Sequence, residues 1–123
     1  MTKQPTVLVV EDDRWLAEQY ERQLVAAGYR ARIARDGLMA MEMIDDAHPN
    51  AIVLDVFLPG PNGVVLLHEL QSYSDIATIP VIVCTTSAAD IPKNSLKSYG
   101  VRRVLDKTTM EPQDIVAAVR SVL

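Results

Sequence analysis

Short apolar runs alternate with longer amphipathic stretches along this chain, and this alternation is the feature that most constrains its fold. Four-residue runs of Val, Ile, Leu, Ala and Cys begin at Val7, Ala51 and Val81. Continuous runs of this kind are typical of strands that are buried on both faces. Weaker strands are predicted at Arg30–Ala34, which two arginines interrupt, and around residues 103–105.

The stretches between these runs have helical spacing. Leu16, Tyr20, Leu24 and Ala27 recur at intervals of four, four and three residues, and Gly28 can end that helix. Further helices are predicted over residues 38–46, 63–71 and 90–98. A closing helix is marked by Ile115, Val116, Val119 and Val122, with Pro112 acceptable in its first turn. Five strands that alternate with five helices need crossover connections. The sequence therefore predicts one α/β domain, residues 1–123, with a doubly wound five-stranded parallel sheet.

Composition limits the class of protein. The chain is 49% hydrophobic and 23% charged, with a formal net charge of −4, so it can form an apolar core and offers no strongly basic surface for direct nucleic-acid binding. Neither a signal peptide nor an apolar run of the ~18 residues that span a membrane is found. We expect a soluble, cytoplasmic protein with no membrane association, in which the single Cys84 is a buried structural thiol.

Polar residues follow the predicted strands at their carboxyl ends, the edge at which open parallel sheets bind ligands. Glu11 and Asp12 follow the first strand, Asp55 follows the third, Thr85 ends the fourth and Lys107 follows the fifth. Each has an ordinary explanation when it is taken alone. The acids could stabilise a helix N-terminus, the threonine could bond a carbonyl group, and the lysine could be solvated.

Taken together, these residues favour a reactive site over the separate ordinary explanations. A carboxylate directly after a buried strand, as Asp55 is, needs a cation. Crowded carboxylates repel each other unless a divalent cation neutralises them, and Mg²⁺ prefers one or two carboxylates plus water and phosphate oxygens. Lys107 and Thr85 could contact the oxygens of a transferred phosphoryl group. The pattern predicts a phosphoryl-transfer site, with Asp13 beside it as a helix cap.

At these same positions the chain resembles the receiver domains of two-component response regulators, the CheY-like superfamily. The matching stretches are Val-Val-Glu-Asp-Asp at 9–13, Leu-Asp-Val-Phe-Leu-Pro-Gly at 54–60, Pro-Val-Ile-Val-Cys-Thr at 80–85, and Lys107. The resemblance covers the whole chain, in order and at the usual spacing. It implies a flavodoxin-like (βα)5 fold with the strand order 2-1-3-4-5.

The resemblance also implies roles. Asp55 would be the phosphoacceptor, and Thr85 and Lys107 would contact the phosphoryl group. Mg²⁺ would be held by Asp12, Asp55, the backbone carbonyl of Phe57 and, through a water molecule, Glu11. The implied partners are a histidine kinase or phosphotransfer protein and a downstream effector protein or domain. A homodimer is left open, and turnover of an external substrate is not expected.

Three positions depart from the usual receiver pattern. Val104 stands where an aromatic residue is common, Thr108 stands where a proline usually follows the lysine, and Thr86 replaces a small residue. These departures keep open an alternative function, a receiver-fold interaction module that signals without phosphorylation. An enzyme is disfavoured, because a dehalogenase-like phosphatase would need a second acid where Phe57 stands.

Overall fold

A computed structural model describes residues 4–55, 63–86 and 97–123 of the chain. Its strands and helices agree closely with the predicted alternation. The strands are β1 (Thr6–Val10), β2 (Arg30–Ala34), β3 (Ala51–Leu54), β4 (Val81–Thr85) and β5 (Val101–Asp106). The helices are α1 (Arg14–Ala26), α2 (Gly37–Asp46), α3 (Gly63–Ser72) and α4 (Gln113–Val122). The helix predicted over 90–98 lies almost wholly outside the described residues.

The five strands form one parallel sheet in the order β2-β1-β3-β4-β5, which confirms the predicted fold class and strand order. Side chains alternate between its two faces, as period-two geometry requires. In β1, Leu8 and Val10 pack with α2 and α3, whereas Val7 and Val9 pack with α1 and α4. Because both faces are covered, the central strands are buried along their length, and this explains their continuous apolar sequence.

Two aspartates begin helices. Asp13 is the N-cap of α1 and accepts a hydrogen bond from the backbone N–H of Leu16 at 3.1 Å, so its predicted capping role is confirmed. Asp36 caps α2 in the same way through the N–H of Met39, at 2.8 Å. Asp13 is therefore turned toward α1, and its capping role distinguishes it from Glu11 and Asp12, the acids that precede it.

Two boundaries differ from the predictions. Strand β5 is longer than residues 103–105, and its register with β4 shifts so that Val81 faces Val101 while Ile82 faces Arg103. The extra residue, Arg102, breaks the period-two pattern that sequence reading relies on. Pro112 is the N-cap residue just before α4, with φ −54° and ψ −33°, and does not lie in the first turn.

Two expectations from composition concern Cys84 and membranes. Cys84 is 1% exposed, and burial raises the pKa of its thiol to about 12, which confirms a buried structural cysteine. Of the helices in the described parts of the chain, none has the length and apolar character that crossing a bilayer requires.

Candidate functional site

The strand ends are held together by backbone hydrogen bonds that continue the sheet for one residue. The N–H of Glu11 donates to the carbonyl of Ala34, and the N–H of Asp55 donates to that of Val10, both at 3.0 Å. On the other side, the N–H of Lys107 donates to the carbonyl of Thr85 at 3.0 Å. Each of these side chains therefore starts from backbone fixed by a neighbouring strand, which limits where it can point.

Three carboxylates meet at this edge of the sheet. One oxygen from each of Glu11, Asp12 and Asp55 can be chosen so that all three lie within 4.8 Å of one another. Glu11 is 2% exposed and Asp55 is 8% exposed, whereas Asp12 is exposed to solvent. This arrangement brings two buried acids to the floor of the site and a third to its rim.

Lys107 supplies the positive charge among the described residues of the site. Its Nζ donates hydrogen bonds to Oε1 of Glu11 and, at 3.0 Å, to Oδ2 of Asp55. Its side chain is only 12% exposed. The ammonium group therefore lies between the two buried carboxylates and neutralises them in part.

The electrostatics follow from burial and from this ion pair. Burial raises the pKa of the Glu11 carboxyl to about 7, although the hydrogen bond and the charge of Lys107 act in the opposite direction. Burial alone would lower the pKa of Lys107, but its hydrogen bonds to Glu11 and Asp55 outweigh that effect and leave the pKa raised. Lys107 is thus an ammonium at any physiological pH.

Thr85 and the departures from the receiver pattern lie on the β4 and β5 side. Thr85 is fully buried at the end of β4, and Thr86 after it is exposed. Val104 is half-buried and packs against the apolar cluster between the sheet, α2 and α3. The described residues contain no cis peptide bond, so the bond between Lys107 and Thr108 is trans.

The structure brings together most of the residues predicted for the site. Glu11, Asp12 and Asp55 lie within one cluster, and Lys107 touches two of them. Phe57 lies outside the described residues. Sequence reasoning missed the ion pair between Lys107 and Glu11, for which the available signal was an acid placed directly after the buried β1.

Comparisons with known proteins agree with this geometry. The family model described as the response regulator receiver domain matches residues 7–120. The response regulator MprA of Mycobacterium ulcerans is 40% identical over 79 residues, which are 64% of this chain and 33% of that protein. MprA of Mycobacterium avium is 39% identical over the same length. The chain spans about a third of the length of these curated relatives.

Solved structures extend the likeness over nearly the whole chain. A candidate response regulator from Chloroflexus aurantiacus is 32% identical with a TM-score of 0.84, and the match covers 98% of both chains. The chemotaxis protein CheY4 of Vibrio cholerae is 25% identical with a TM-score of 0.89, covering 98% of this chain and 100% of the other. On the family match, the strand order and the cluster of acids at the sheet edge, the chain belongs to the response regulator receiver domain family of two-component systems.

Proposed function

We propose that this chain is a Mg²⁺-dependent phosphoacceptor that takes a phosphoryl group onto Asp55. The observation that supports this most is the placement of Asp55, buried after β3, within 4.8 Å of two further acids and 3.0 Å from the ammonium of Lys107. A buried carboxylate surrounded by these groups suits nucleophilic attack on phosphorus. The donor is the phosphohistidine of a histidine kinase or phosphotransfer protein, in the cytoplasm, and residues 1–123 act as one receiver domain.

The acidic cluster fits a divalent cation. Hard cations such as Mg²⁺ prefer carboxylate oxygens and water, and the three acids offer that donor set. Asp12 and Asp55 would hold the metal directly, Glu11 would hold it through water, and the backbone carbonyl of Phe57 would complete the protein ligands. When bound, the metal offsets the charge of the phosphoryl oxygens as they approach the carboxylates.

The chain's own residues then carry the transfer. A carboxylate oxygen of Asp55 forms a bond to phosphorus, the bond between phosphorus and the histidine nitrogen breaks, and its electron pair returns to the imidazole. Lys107 can move from Asp55 to a phosphoryl oxygen, because it contacts that carboxylate through one hydrogen bond, to Oδ2. Thr85 donates its hydroxyl hydrogen to another oxygen. No external substrate is turned over.

Phosphorylation would change the surface that binds a downstream effector. Thr85 and Lys107 are joined through their backbones, so a movement at the end of β4 is transmitted to the end of β5. Val104 is β-branched and has essentially one rotatable side-chain angle, so its side chain can report little of this movement. We therefore expect a muted switch that acts through backbone shifts along β5 and near Tyr99.

Incubation with Mg²⁺ and acetyl phosphate, followed by intact mass measurement, tests the phosphoacceptor role. The parent should gain one phosphate-sized mass, and Asp55→Asn should gain none. Asp13→Asn is the matched control, since it removes a neighbouring negative charge while asparagine still caps α1. Full labelling of Asp55→Asn would refute the proposal. An unlabelled parent would favour an interaction module that signals without phosphate.

Backbone amide NMR with and without beryllofluoride, a phosphoryl mimic, tests the switch. Shifts should appear at Thr85 and Thr86 and continue along residues 97–106. A ligand can move such an equilibrium only through different affinities for the two states. Shifts confined to the neighbours of Asp55 would contradict the switch and indicate static phosphate binding.

A further inference from the structure

A cleft lies at the amino-terminal ends of the strands, at the opposite end of the sheet from the acidic site. It has a volume of about 440 Å³ and is lined by Thr6, Arg30, Ala31, Arg32, Ala47 and His48. We call it the foot cleft, because Thr6 and Arg30 are the first residues of β1 and β2. Its volume falls within the range of roughly 300–1,000 Å³ that is usual for small-molecule sites.

The foot cleft is positively charged. Arg30 and Arg32 alternate along β2, so they share one face of the strand with their Cα atoms roughly 7 Å apart. Arg32 is half-buried, and neither guanidinium has an ion pair or hydrogen bond with another described residue. No carboxylate is among the residues that line the cleft. Two neighbouring guanidinium groups without a counterion favour an anionic ligand.

The free edge of the sheet adds a backbone donor. The N–H of Arg30 donates to Pro5, and the carbonyl of Ala34 accepts from Glu11, so the even-numbered residues of β2 face β1. In a parallel strand the residues between them direct N–H and carbonyl groups the other way. The N–H of Ala31 therefore faces the open edge, beside both arginines. Guanidinium and backbone N–H groups together are the donors that phosphate oxygens accept from.

The remaining polar groups are consistent with an anion. The backbone of Thr6 is bonded on both sides to Asn50, and its hydroxyl has no partner in the described parts of the chain. Nε2 of His48 lies 3.5 Å from Oδ2 of Asp75, an exposed pair at the margin. The Asp75 carboxylate contacts His48 but is not among the residues that line the cleft.

Charged residues on an edge strand also discourage pairing with another strand. That role explains an exposed arginine such as Arg30. It does not explain why a half-buried Arg32, a histidine and an unpaired backbone edge border one cleft of ligand size.

We propose that the foot cleft binds a small phosphate-bearing molecule, with Arg30 and Arg32 holding the phosphate oxygens. The cleft is larger than a phosphate ion needs, which favours a mononucleotide over inorganic phosphate as the occupant. This site is independent of the proposed phosphoacceptor function, because it lies at the amino-terminal ends of the strands and uses none of the same residues.

The full chain is titrated with adenosine monophosphate, and separately with inorganic phosphate, in buffer without Mg²⁺ at physiological salt. Backbone amide NMR identifies the residues that shift. We expect saturable shifts centred on Thr6, Ala31 and His48, and at least tenfold weaker binding for Arg30→Gln and for Arg32→Gln. Arg102→Gln is the matched control, an exposed arginine on the opposite edge strand, and should change affinity less than twofold.

Each outcome has a defined meaning. Saturation by the nucleotide alone, or tighter binding of the nucleotide than of inorganic phosphate at this cleft, supports the proposal, whereas saturation by inorganic phosphate alone would overturn the choice of a nucleotide. Absence of saturable shifts, shifts centred on the acidic edge, or an equal loss in Arg102→Gln would overturn it. Retained circular dichroism spectra in the arginine variants exclude unfolding as the cause of weaker binding.

Discussion

Replacement of Lys107 by methionine should destabilise the domain and at the same time strengthen its response to Mg²⁺. The ammonium lies 3.0 Å from Oδ2 of Asp55 and also bonds Glu11. At 3.0 Å and an effective dielectric constant of about 20, one such attraction is worth about 5.5 kcal/mol before desolvation is counted. The side chain of Lys107 is 12% exposed, so part of that attraction is offset by the cost of its burial.

Removal of one partner of a buried ion pair typically costs about 3–5 kcal/mol, because the other charge is left uncompensated. We expect a loss of about 3 kcal/mol in Lys107→Met without divalent cations, which corresponds to about 10–15 °C in melting temperature for a domain of this size. Methionine keeps much of the lysine's apolar length, so the loss reports charge more than packing. Urea unfolding followed by far-UV circular dichroism, in EDTA, measures it.

The response to Mg²⁺ separates this explanation from simple loss of packing. Under the proposed function, the ammonium of the parent would compete with Mg²⁺ for the carboxylates of Glu11 and Asp55, which it contacts in the structure. Lys107→Met should therefore gain more stability from Mg²⁺ than the parent does, and a tenfold tighter affinity adds about 1.4 kcal/mol at saturation. Arg22→Met, on the exposed side of α1, is the control and should stay within about 0.5 kcal/mol of the parent. A loss below 1 kcal/mol, or equal stabilisation of parent and variant by Mg²⁺, would refute the reasoning.

Two further predictions concern the acidic run and the core. Asp12→Ala should weaken Mg²⁺ binding far more than Asp13→Ala, since Asp13 is committed to capping α1; titration followed by the fluorescence of Trp15 compares them, and equal losses would mean that the two roles are misassigned. Cys84 should not react with a thiol reagent at pH 8 unless the protein unfolds, because its pKa is raised to about 12. The pKa of the unfolded thiol has its ordinary value of 9.0, so the native state binds more protons than the unfolded state above that pH, and stability should fall as pH rises from about 9 toward 12. Rapid reaction of the folded protein with the thiol reagent at pH 8 would contradict the expected protection of Cys84.

The central part of the fold could be predicted from sequence because its strands are covered on both faces. The runs at Val7, Ala51 and Val81 are apolar at consecutive positions, a pattern that is typical of short strands covered on both faces. The edge strands were harder to predict. In β5 the bulge at Arg102 interrupts the alternation, and in β2 the arginines are tolerated because one edge of that strand is open.

The clustering of the candidate site residues could be predicted for a related reason. Parallel strands end at the same edge of a sheet, so residues that follow β1, β3 and β5 must come near one another whatever their separation in sequence. The carboxylates that Lys107 contacts could not be predicted from strand ends alone, although the position of Glu11 directly after β1 made it a candidate. Its Nζ could reach several carboxylates at that edge, and the choice depends on side-chain torsions and burial that no spacing in the sequence encodes.

The ion pair with Glu11 gives a physical reason for two buried acids in this fold. Glu11 and Asp55 are both under 10% exposed, and without a cation each would carry a large desolvation cost. Lys107 reduces that cost, and it contacts Asp55 through a single hydrogen bond, which under the proposed function it would exchange for one to a phosphoryl oxygen. A stronger, bidentate partner such as arginine would hold the carboxylate more tightly and would be harder to displace. The site therefore combines enough local charge compensation to fold with a partner that, in the proposed phosphoryl transfer, would be weak enough to release Asp55.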